Sequence, residues 1–133
     1  MVPRRNLVLG GLVVLALLLA GCAGGTEQVS NNVNSFRYTS EWKGFSGTKE
    51  YDWQNDRTHA EVSLSGTPTG GSLSVSVRDA AGATVYSVED LQPGARSLTQ
   101  QGQPGTWHIV LRFNGFAGQT TVSVRANAGP ASS

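Results

Sequence analysis

The chain has 133 residues, of which 38% are hydrophobic and 14% are charged, with a formal net charge of +1. This length fits one small domain, and the weak charge excludes the basic surface that nucleic-acid binding needs. The single cysteine excludes an internal disulfide framework and a zinc site built on cysteines.

Residues 1–21 have the composition of a signal peptide. Arg4 and Arg5 give the segment a positive start, and the uncharged apolar run Leu7–Ala20 follows them. As a helix, this run would span about 21 Å, which is shorter than the ~30 Å hydrocarbon core of a membrane. We therefore expect a signal helix that is cleaved from the mature protein and does not remain as a membrane span.

The apolar run ends in Leu19-Ala20-Gly21-Cys22, which resembles the lipobox of bacterial lipoproteins. This resemblance implies that the Cys22 thiol receives a diacylglycerol and that a signal peptidase cuts before it. Chemically, a thiolate is the nucleophile that such a thioether bond requires. Two or more acyl chains, such as palmitate, anchor a protein stably in a membrane where one does not.

The expected location follows from the lipid anchor. Ala23 after the cysteine is not aspartate, so the resemblance implies the outer membrane in a double-membrane bacterium. In a single-membrane bacterium it implies the outer face of the plasma membrane. Without its leader the chain keeps 8 basic and 9 acidic residues, a net charge of 8 − 9 = −1, so electrostatic attraction to anionic headgroups plays no part in this anchoring.

The mature chain divides into three parts. Residues 22–34 are rich in glycine and polar residues and predict a lipidated flexible tether. Residues 35–128 alternate apolar and polar side chains, and residues 129–133 form a short polar tail. The alternation predicts strands, which fall in eight segments: Phe36–Trp42, Tyr51–Trp53, Val62–Leu64, Leu73–Val77, Val85–Leu91, Leu98, Trp107–Phe113 and Val122–Val124.

These segments predict an all-β fold. Seven to eight short strands, each with one polar face, are typical of an antiparallel two-sheet sandwich of the jelly-roll-like kind. The sequence Asp79-Ala80-Ala81-Gly82 predicts a turn that ends in a left-handed glycine, and Asn114-Gly115 predicts a hairpin. In phase with the apolar positions, Trp53 and Trp107 are expected in the core.

From Tyr51 onward the mature part is similar to small uncharacterised β-sandwich lipoproteins and, more distantly, to pre-peptidase C-terminal domains. The similarity rests on spaced turn and core positions: Tyr51-x-Trp53-x-Asn55, Gly71-x-Leu73-x-Val75-x-Val77-x-Asp79-x-x-Gly82 and Pro104-Gly105-Thr106-Trp107-x-Ile109. It implies an accessory module that binds sugar or protein and has no catalytic activity of its own. Here the module follows a lipid anchor and not an enzyme.

Two groups of residues are candidate binding sites. Asp52, Asn55 and Asp56 supply three oxygen donors within five residues and form a candidate calcium site, with an ordinary turn as the alternative. Trp42 and Phe45 form a candidate ligand platform if both rings are exposed, because aromatic rings stack on sugars.

Catalysis is poorly supported. Only His59 and His108 could act as an imidazole base, and the chain has no G-x-S-x-G nucleophile motif. The sequence therefore favours a non-enzymatic, lipid-anchored cell-envelope protein that presents a binding or structural surface to an envelope protein or glycan. The alternative is a carbohydrate- or calcium-dependent binding module, and a small hydrolase is more remote.

Overall fold

The computed structural model describes residues 25–130, in which every regular element is a β-strand. No helix that could cross a membrane occurs in these residues. Six strands pair antiparallel in the order β1-β2-β6-β3-β4, with β5 also paired to β3. Their bounds are β1 (Gly25–Asn32), β2 (Ser35–Asn55), β3 (His59–Arg78), β4 (Thr84–Val88), β5 (Arg96–Leu98) and β6 (Gly105–Asn127).

Three of these strands are long, and each one runs through two layers. β2, β3 and β6 contain 21, 20 and 23 residues, and their pairing register shifts near the middle of each strand. We call this bent region the corner; it comprises residues 44–46 of β2, 69–71 of β3 and 114–116 of β6. Bulges and glycines allow strands to bend in this way.

The corner separates a first layer from a second layer. The first layer contains β1, β5 and residues 35–43, 59–68 and 117–127 of the long strands, and the second contains β4 and residues 47–55, 72–78 and 105–113. Aromatic rings make contact between them: the ring centroids of Phe36 and Tyr51 are 5.2 Å apart, and those of Tyr38 and Phe113 are 5.9 Å apart. The predicted antiparallel β-sandwich is therefore confirmed.

The two layers enclose one apolar core. Inward-facing positions alternate with outward-facing ones along each strand, as the period of two requires. Trp53 and Trp107 are 1% and 0% exposed, and their rings meet edge to face at 6.1 Å. Each indole N–H is satisfied: Trp53 Nε1 donates to the Asn32 carbonyl at 3.0 Å, and Trp107 Nε1 donates to the Gln103 carbonyl at 2.7 Å. The predicted core positions of both tryptophans are confirmed.

Glycines allow the strands to approach each other closely at the corner. Gly71 has φ +74°, and a Cβ atom there would overlap the carbonyl oxygen of Gly115. Gly118 has φ +111°, and a Cβ atom there would lie 2.5 Å from the Thr67 carbonyl oxygen. Only glycine combines the left-handed conformation with the missing side chain at such positions.

The structure joins several of the segments that the sequence separates. Eight predicted strand segments occupy five strands, because β2, β3 and β6 each contain two segments connected through the corner. The hairpin predicted at Asn114-Gly115 is wrong, since both residues lie within β6, where the strand bends. Gly115 has φ +57°. The left-handed conformation that Asn-Gly favours therefore occurs here at a bend within a strand and not in a hairpin turn.

The predicted tether also differs from the structure. Residues 25–32 of the 22–34 segment form β1, which pairs with β2 from Gly25↔Trp42 to Asn32↔Ser35. Gly25 packs directly against the Trp42 ring, and Glu27 and Val29 alternate with exposed residues. None of the residues of β1 is fully buried, so this edge strand needs few apolar side chains, which explains why its polar sequence resembles a linker. The domain therefore includes Gly25 and does not begin at residue 35.

The turn predicted at Asp79–Gly82 is confirmed. The Gly82 N–H donates to the Asp79 carbonyl at 3.0 Å, and Gly82 has φ +90°. The Asp79 side chain accepts N–H bonds from Gln103, Ala83 and Ala81 at 2.8, 2.8 and 3.0 Å. These bonds, led by that from Gln103, hold the pKa of the Asp79 carboxyl below its usual value. One carboxylate thus fixes the turn and the loop that leads into β6.

Candidate functional site

Cys22 lies outside the described residues, so its lipidation stays a prediction. The described chain begins with β1 at Gly25, three positions after this cysteine. Because an extended chain advances at most about 3.6 Å per residue, an acylated Cys22 would lie within about 11 Å of the first residue of the sandwich.

The three candidate calcium ligands do not converge. Asp52 and Asn55 are an odd number of residues apart on β2, so their side chains point to opposite faces of the strand. The Asn55 side chain is fully buried, where Nδ2 donates to the His59 carbonyl at 3.1 Å and Oδ1 accepts the Arg57 N–H at 2.8 Å. Asp56 is exposed. These contacts place Asn55 in the β2–β3 turn, the alternative that the sequence left open.

Asp52 has another partner on the outer face of the second layer. Its Oδ1 lies 2.7 Å from His108 Nδ1, directly across β2 and β6. Within residues 25–130, no group of three or more His, Cys, Asp or Glu side chains is arranged to hold a metal ion. The structure therefore brings Asp52 together with a histidine and not with the other two candidate ligands.

Trp42 and Phe45 are brought together, but they do not form an exposed platform. Their rings stack on each other with centroids 4.1 Å apart and planes 16° apart. Trp42 is 4% exposed and Phe45 is half-buried. Each ring therefore offers one face to the other, and the Trp42 face that a sugar would need is within the protein.

A polar cluster links β1 to the second layer beside these rings. Glu27 forms an ion pair with Lys49 at 3.2 Å, and the Tyr38 hydroxyl donates to the same carboxylate at 2.6 Å. Burial, followed by the nearby Glu27, raises the pKa of Tyr38 and of Tyr51. Lys49 Nζ also lies 5.4 Å from the Phe45 ring centroid, a distance at which cation–π attraction operates. These contacts hold the edge strand against the sandwich.

The two histidines occupy unlike surroundings. His59 Nδ1 lies 2.9 Å from the Thr58 hydroxyl. His108 has an orienting carboxylate in Asp52, and its cross-strand neighbours on β2 and β3 are Asp52 and Arg78. Neither neighbour is a serine or threonine, so the hydroxyl that a hydrolase would activate is not at either paired position.

The most distinctive polar surface is a groove on the outer face of the first layer. We call it the arginine groove. Its volume is about 380 Å³, and its main polar side chains are those of Arg37, Glu61, Ser63, Arg96, Ser123 and Arg125. These residues come from four neighbouring strands, β2, β6, β3 and β5.

Strand register places the groove residues in ordered rows. Arg37 lies opposite Ser123, Ser123 opposite Ser63, and Ser63 opposite Arg96. At ~4.8 Å between strands, this row is about 14 Å long at the backbone. The two serines therefore lie between two arginines. In the adjacent row, Arg125 lies opposite Glu61.

One wall of the groove is a loop tied to the sheet. The Gly94 N–H donates to the Leu64 carbonyl at 2.8 Å, and the Leu64 N–H donates to the Ala95 carbonyl at 3.2 Å. The Thr99 N–H donates to the Ala60 carbonyl at 2.8 Å beyond the loop. Backbone bonds on both sides thus fix the position of Arg96.

The groove has an excess of positive charge. Three arginines face it with one carboxylate, that of Glu61, which gives a net charge of 3 − 1 = +2. Glu61 lies 3.9 Å from Arg96, whose side chain is 71% exposed, so this pair is weak. Among residues 25–130, no carboxylate lies within ion-pair distance of Arg37 or Arg125.

A second, wider depression lies beside the corner and has a volume of about 560 Å³. Its lining includes Glu41, Lys43, Thr67, Thr69 and Gln119. One acid and one base leave it without net charge, and it is more open than the arginine groove. Its chemistry therefore selects for a ligand less strongly than the arginine groove does.

Sequence reasoning did not find the arginine groove. Its residues do have a signal, since Arg37, Ser63, Ser123 and Arg125 all occupy polar positions of alternating segments. However, a period of two only assigns them to a polar face. The pairing of β2, β6 and β3, which brings them together, depends on contacts between residues far apart in the chain.

No protein-family model matches the chain, and no curated protein matches it. Among solved structures, it is similar to TmCBM61, whose structure was determined in complex with β-1,4-galactotriose. The two are 15% identical with a TM-score of 0.38, over 75% of this chain and 66% of that chain. This chain therefore spans about two thirds of the length of that one, and the likeness is too distant to assign a ligand.

Proposed function

We propose that the protein is a non-enzymatic, lipid-anchored module of the bacterial cell envelope that binds carbohydrate in the arginine groove. One observation supports this most directly: serine hydroxyls and arginine guanidinium groups line a groove whose floor is a hydrogen-bonded sheet. A rigid floor of this kind holds its polar groups in place before the ligand arrives, which lowers the entropic cost of binding.

The chemistry of the floor suits a ligand with many hydroxyl groups. A serine hydroxyl both donates and accepts, and an arginine offers five N–H donors in a planar fork. Ser63 and Ser123 make no side-chain hydrogen bond to another residue of the described chain. Their hydroxyls are therefore available to a ligand that lies along the row from Arg37 to Arg96.

Aromatic stacking is not needed for this mode of binding. The large hydrophobic residues exposed in the described domain are Val33 and Leu98, and neither is aromatic. Trp42, Trp53 and Trp107 all contribute to the core. Hydrogen bonds and charge would thus replace the flat ring that the sequence first suggested.

The proposed anchor would place the groove away from the membrane. Gly25, the described residue nearest to Cys22, pairs with Trp42 beside the corner. Arg37 lies five residues from Trp42 along β2, which is about 17 Å in a strand. An acylated Cys22 would thus hold the corner near the lipid and leave the groove open to envelope material.

Binding to polysaccharides tests this proposal. The mature protein in detergent is mixed with galactan, a β-glucan and polygalacturonic acid, and its retardation is measured by affinity electrophoresis. We expect at least one polymer to bind. Replacing Ser63 and Ser123 together with valine should weaken that binding about tenfold or more, because two hydrogen bonds are lost.

A cross-strand serine pair on the other layer provides the control. Ser76 lies opposite Ser87 on the outer face of the second layer, and valine at both positions should leave binding unchanged. The proposal would be contradicted if none of the three polymers retarded the protein, or if both double variants lost binding equally.

A further inference from the structure

We infer that the carbohydrate bound in the arginine groove is an acidic polysaccharide, whose carboxylate groups pair with Arg37 and Arg125 while its hydroxyls contact Ser63 and Ser123. The inference rests on the proposed function, since it names the chemical class of the ligand at the same site. A neutral sugar chain would satisfy the serines but leave the charge of the groove unmatched.

The charge of the groove differs from that of the domain around it. Residues 25–130 contain 8 basic and 9 acidic side chains, yet three of the eight bases face this one groove with a single acid. Of the five lysine and arginine residues outside the groove, Lys49 has a carboxylate partner at 3.2 Å and the other four have none among the described residues. Arg37 and Arg125 also have no such partner, but they share one groove with a third arginine and a single carboxylate. Charge complementarity at this groove therefore favours an anionic ligand.

Register defines the spacing of the two unpaired arginines. Arg37 lies opposite Ser123 on β6, and Arg125 is two residues further along the same strand. Such diagonal neighbours lie about 7–8 Å apart at the backbone. The long side chains of both residues can therefore reach one acidic group together or two neighbouring acidic groups along a chain. Guanidinium groups bind carboxylates by paired hydrogen bonds.

The floor of the groove distinguishes a sugar chain from an acidic peptide. Ser63 and Ser123 lie between Arg37 and Arg96 in one row, and the neighbouring apolar side chains of Val62 and Val124 point into the core. The floor between Arg37 and Arg96 thus presents hydroxyl groups, whereas the exposed apolar side chain of Leu98 lies to one side, opposite Glu61. Binding to an acidic peptide remains one of the outcomes that the experiment distinguishes.

The test compares one polymer with and without its charge. Polygalacturonic acid and its carboxyl-reduced form have the same backbone, and calorimetry with the detergent-solubilised mature protein measures the affinity for each. We expect reduction of the carboxyl groups to weaken binding at least tenfold. Equal affinity for both forms would overturn the inference and leave the proposed function intact. Binding to neither form would also overturn the inference, and it would count against the proposed function only if galactan and the β-glucan were not bound either.

Two matched variants locate the charge effect. Replacing Arg37 and Arg125 together with glutamine should weaken binding of the acid form at least tenfold and bring it near the affinity for the reduced form. The control replaces Arg78 and Arg112 with glutamine. Both are exposed on the outer face of the second layer, so this variant removes the same charge at a distance from the groove. Equal loss in both variants would show a general charge effect and overturn the inference.

A third variant should change the affinity in the opposite direction. Glu61→Gln removes the one carboxylate that faces the groove, so it should strengthen binding of polygalacturonic acid several-fold and leave the reduced form unaffected. A poly-glutamate chain of similar charge serves as the peptide probe. If it bound as tightly as polygalacturonic acid, the selectivity for sugar would be disproved.

Discussion

Individual side chains take unlike roles in this domain according to their partners. Asn55 is polar but fully buried, because the β2–β3 turn uses both ends of its amide. Trp107 is fully buried and still satisfies its indole N–H through Gln103. The sequence shows which side chains carry oxygen donors. Only the contacts in the folded protein show whether such a donor closes a turn or faces a ligand.

Asp79 allows a test of stability against pH. Its pKa is lowered in the folded state by backbone N–H bonds, of which that from Gln103 has the largest effect. A carboxyl with a lowered pKa stabilises the fold above its unfolded pKa of ~3.9, and this stabilisation is lost as the pH falls below that value and through the folded pKa. The loss should appear below about pH 4.

Asp79→Asn should lower the melting temperature at pH 7 by about 5 °C or more, because an amide cannot accept all three bonds of the carboxylate. Below pH 4 the wild-type protein should lose stability more steeply than the variant, so their urea midpoints should approach each other. Asp90→Asn, at an exposed carboxyl, is the control and should follow the wild-type curve. Parallel curves for wild type and Asp79→Asn would disprove this role.

At the scale of the elements, the corner determines the architecture. Three long strands bend there, so that one hydrogen-bonded sheet folds over into two layers. The period of two predicted where the apolar segments lie, and it predicted the sandwich. It could not predict that segments on both sides of the corner belong to one strand, because glycine and proline in Gly66–Gly71 and glycine in Asn114–Gly118 are also typical of turns.

Two neighbouring glycines at the corner, Gly70 and Gly71, differ in backbone conformation and in the space around them. Gly71→Ala places a methyl group against the Gly115 carbonyl in a left-handed conformation, and it should reduce the free energy of unfolding by about 2 kcal/mol or more. Gly70→Ala is the matched control, since Gly70 has open space around its Cβ position and no positive φ. Its stability should stay within about 0.5 kcal/mol of wild type. Urea unfolding measures both values, and equal effects would show that the close approach at Gly71 is unimportant.

The whole molecule combines a proposed lipid anchor at Cys22, a β-sandwich and a charged outer face. The lipobox-like sequence is local, and four residues suggested it. The arginine groove requires four strands in the correct register, which no local pattern specifies. This difference explains why the sequence predicts where the protein resides more readily than it predicts the site that would bind a ligand.

The anchor is tested by changing its thiol. Cys22→Ser should abolish the incorporation of labelled palmitate and leave a precursor that retains residues 1–21, because serine cannot form the thioether. Ala23→Ser preserves the four residues up to the cysteine and should be acylated as in wild type. Labelling in growing bacteria and electrophoretic mobility measure both outcomes. Normal maturation of the Cys22→Ser protein would disprove the anchor.

Locating the bound sugar on the protein tests carbohydrate binding in the arginine groove. Oligomers of polygalacturonic acid are titrated into the isotope-labelled mature protein in detergent micelles, and amide chemical shifts are followed by NMR. If the sugar binds in the arginine groove, saturable shifts should centre on Arg37, Ser63, Arg96 and Ser123 and leave the second layer unaffected. Shifts centred on the corner or on the outer face of the second layer, or no saturable shift in the groove, would contradict it.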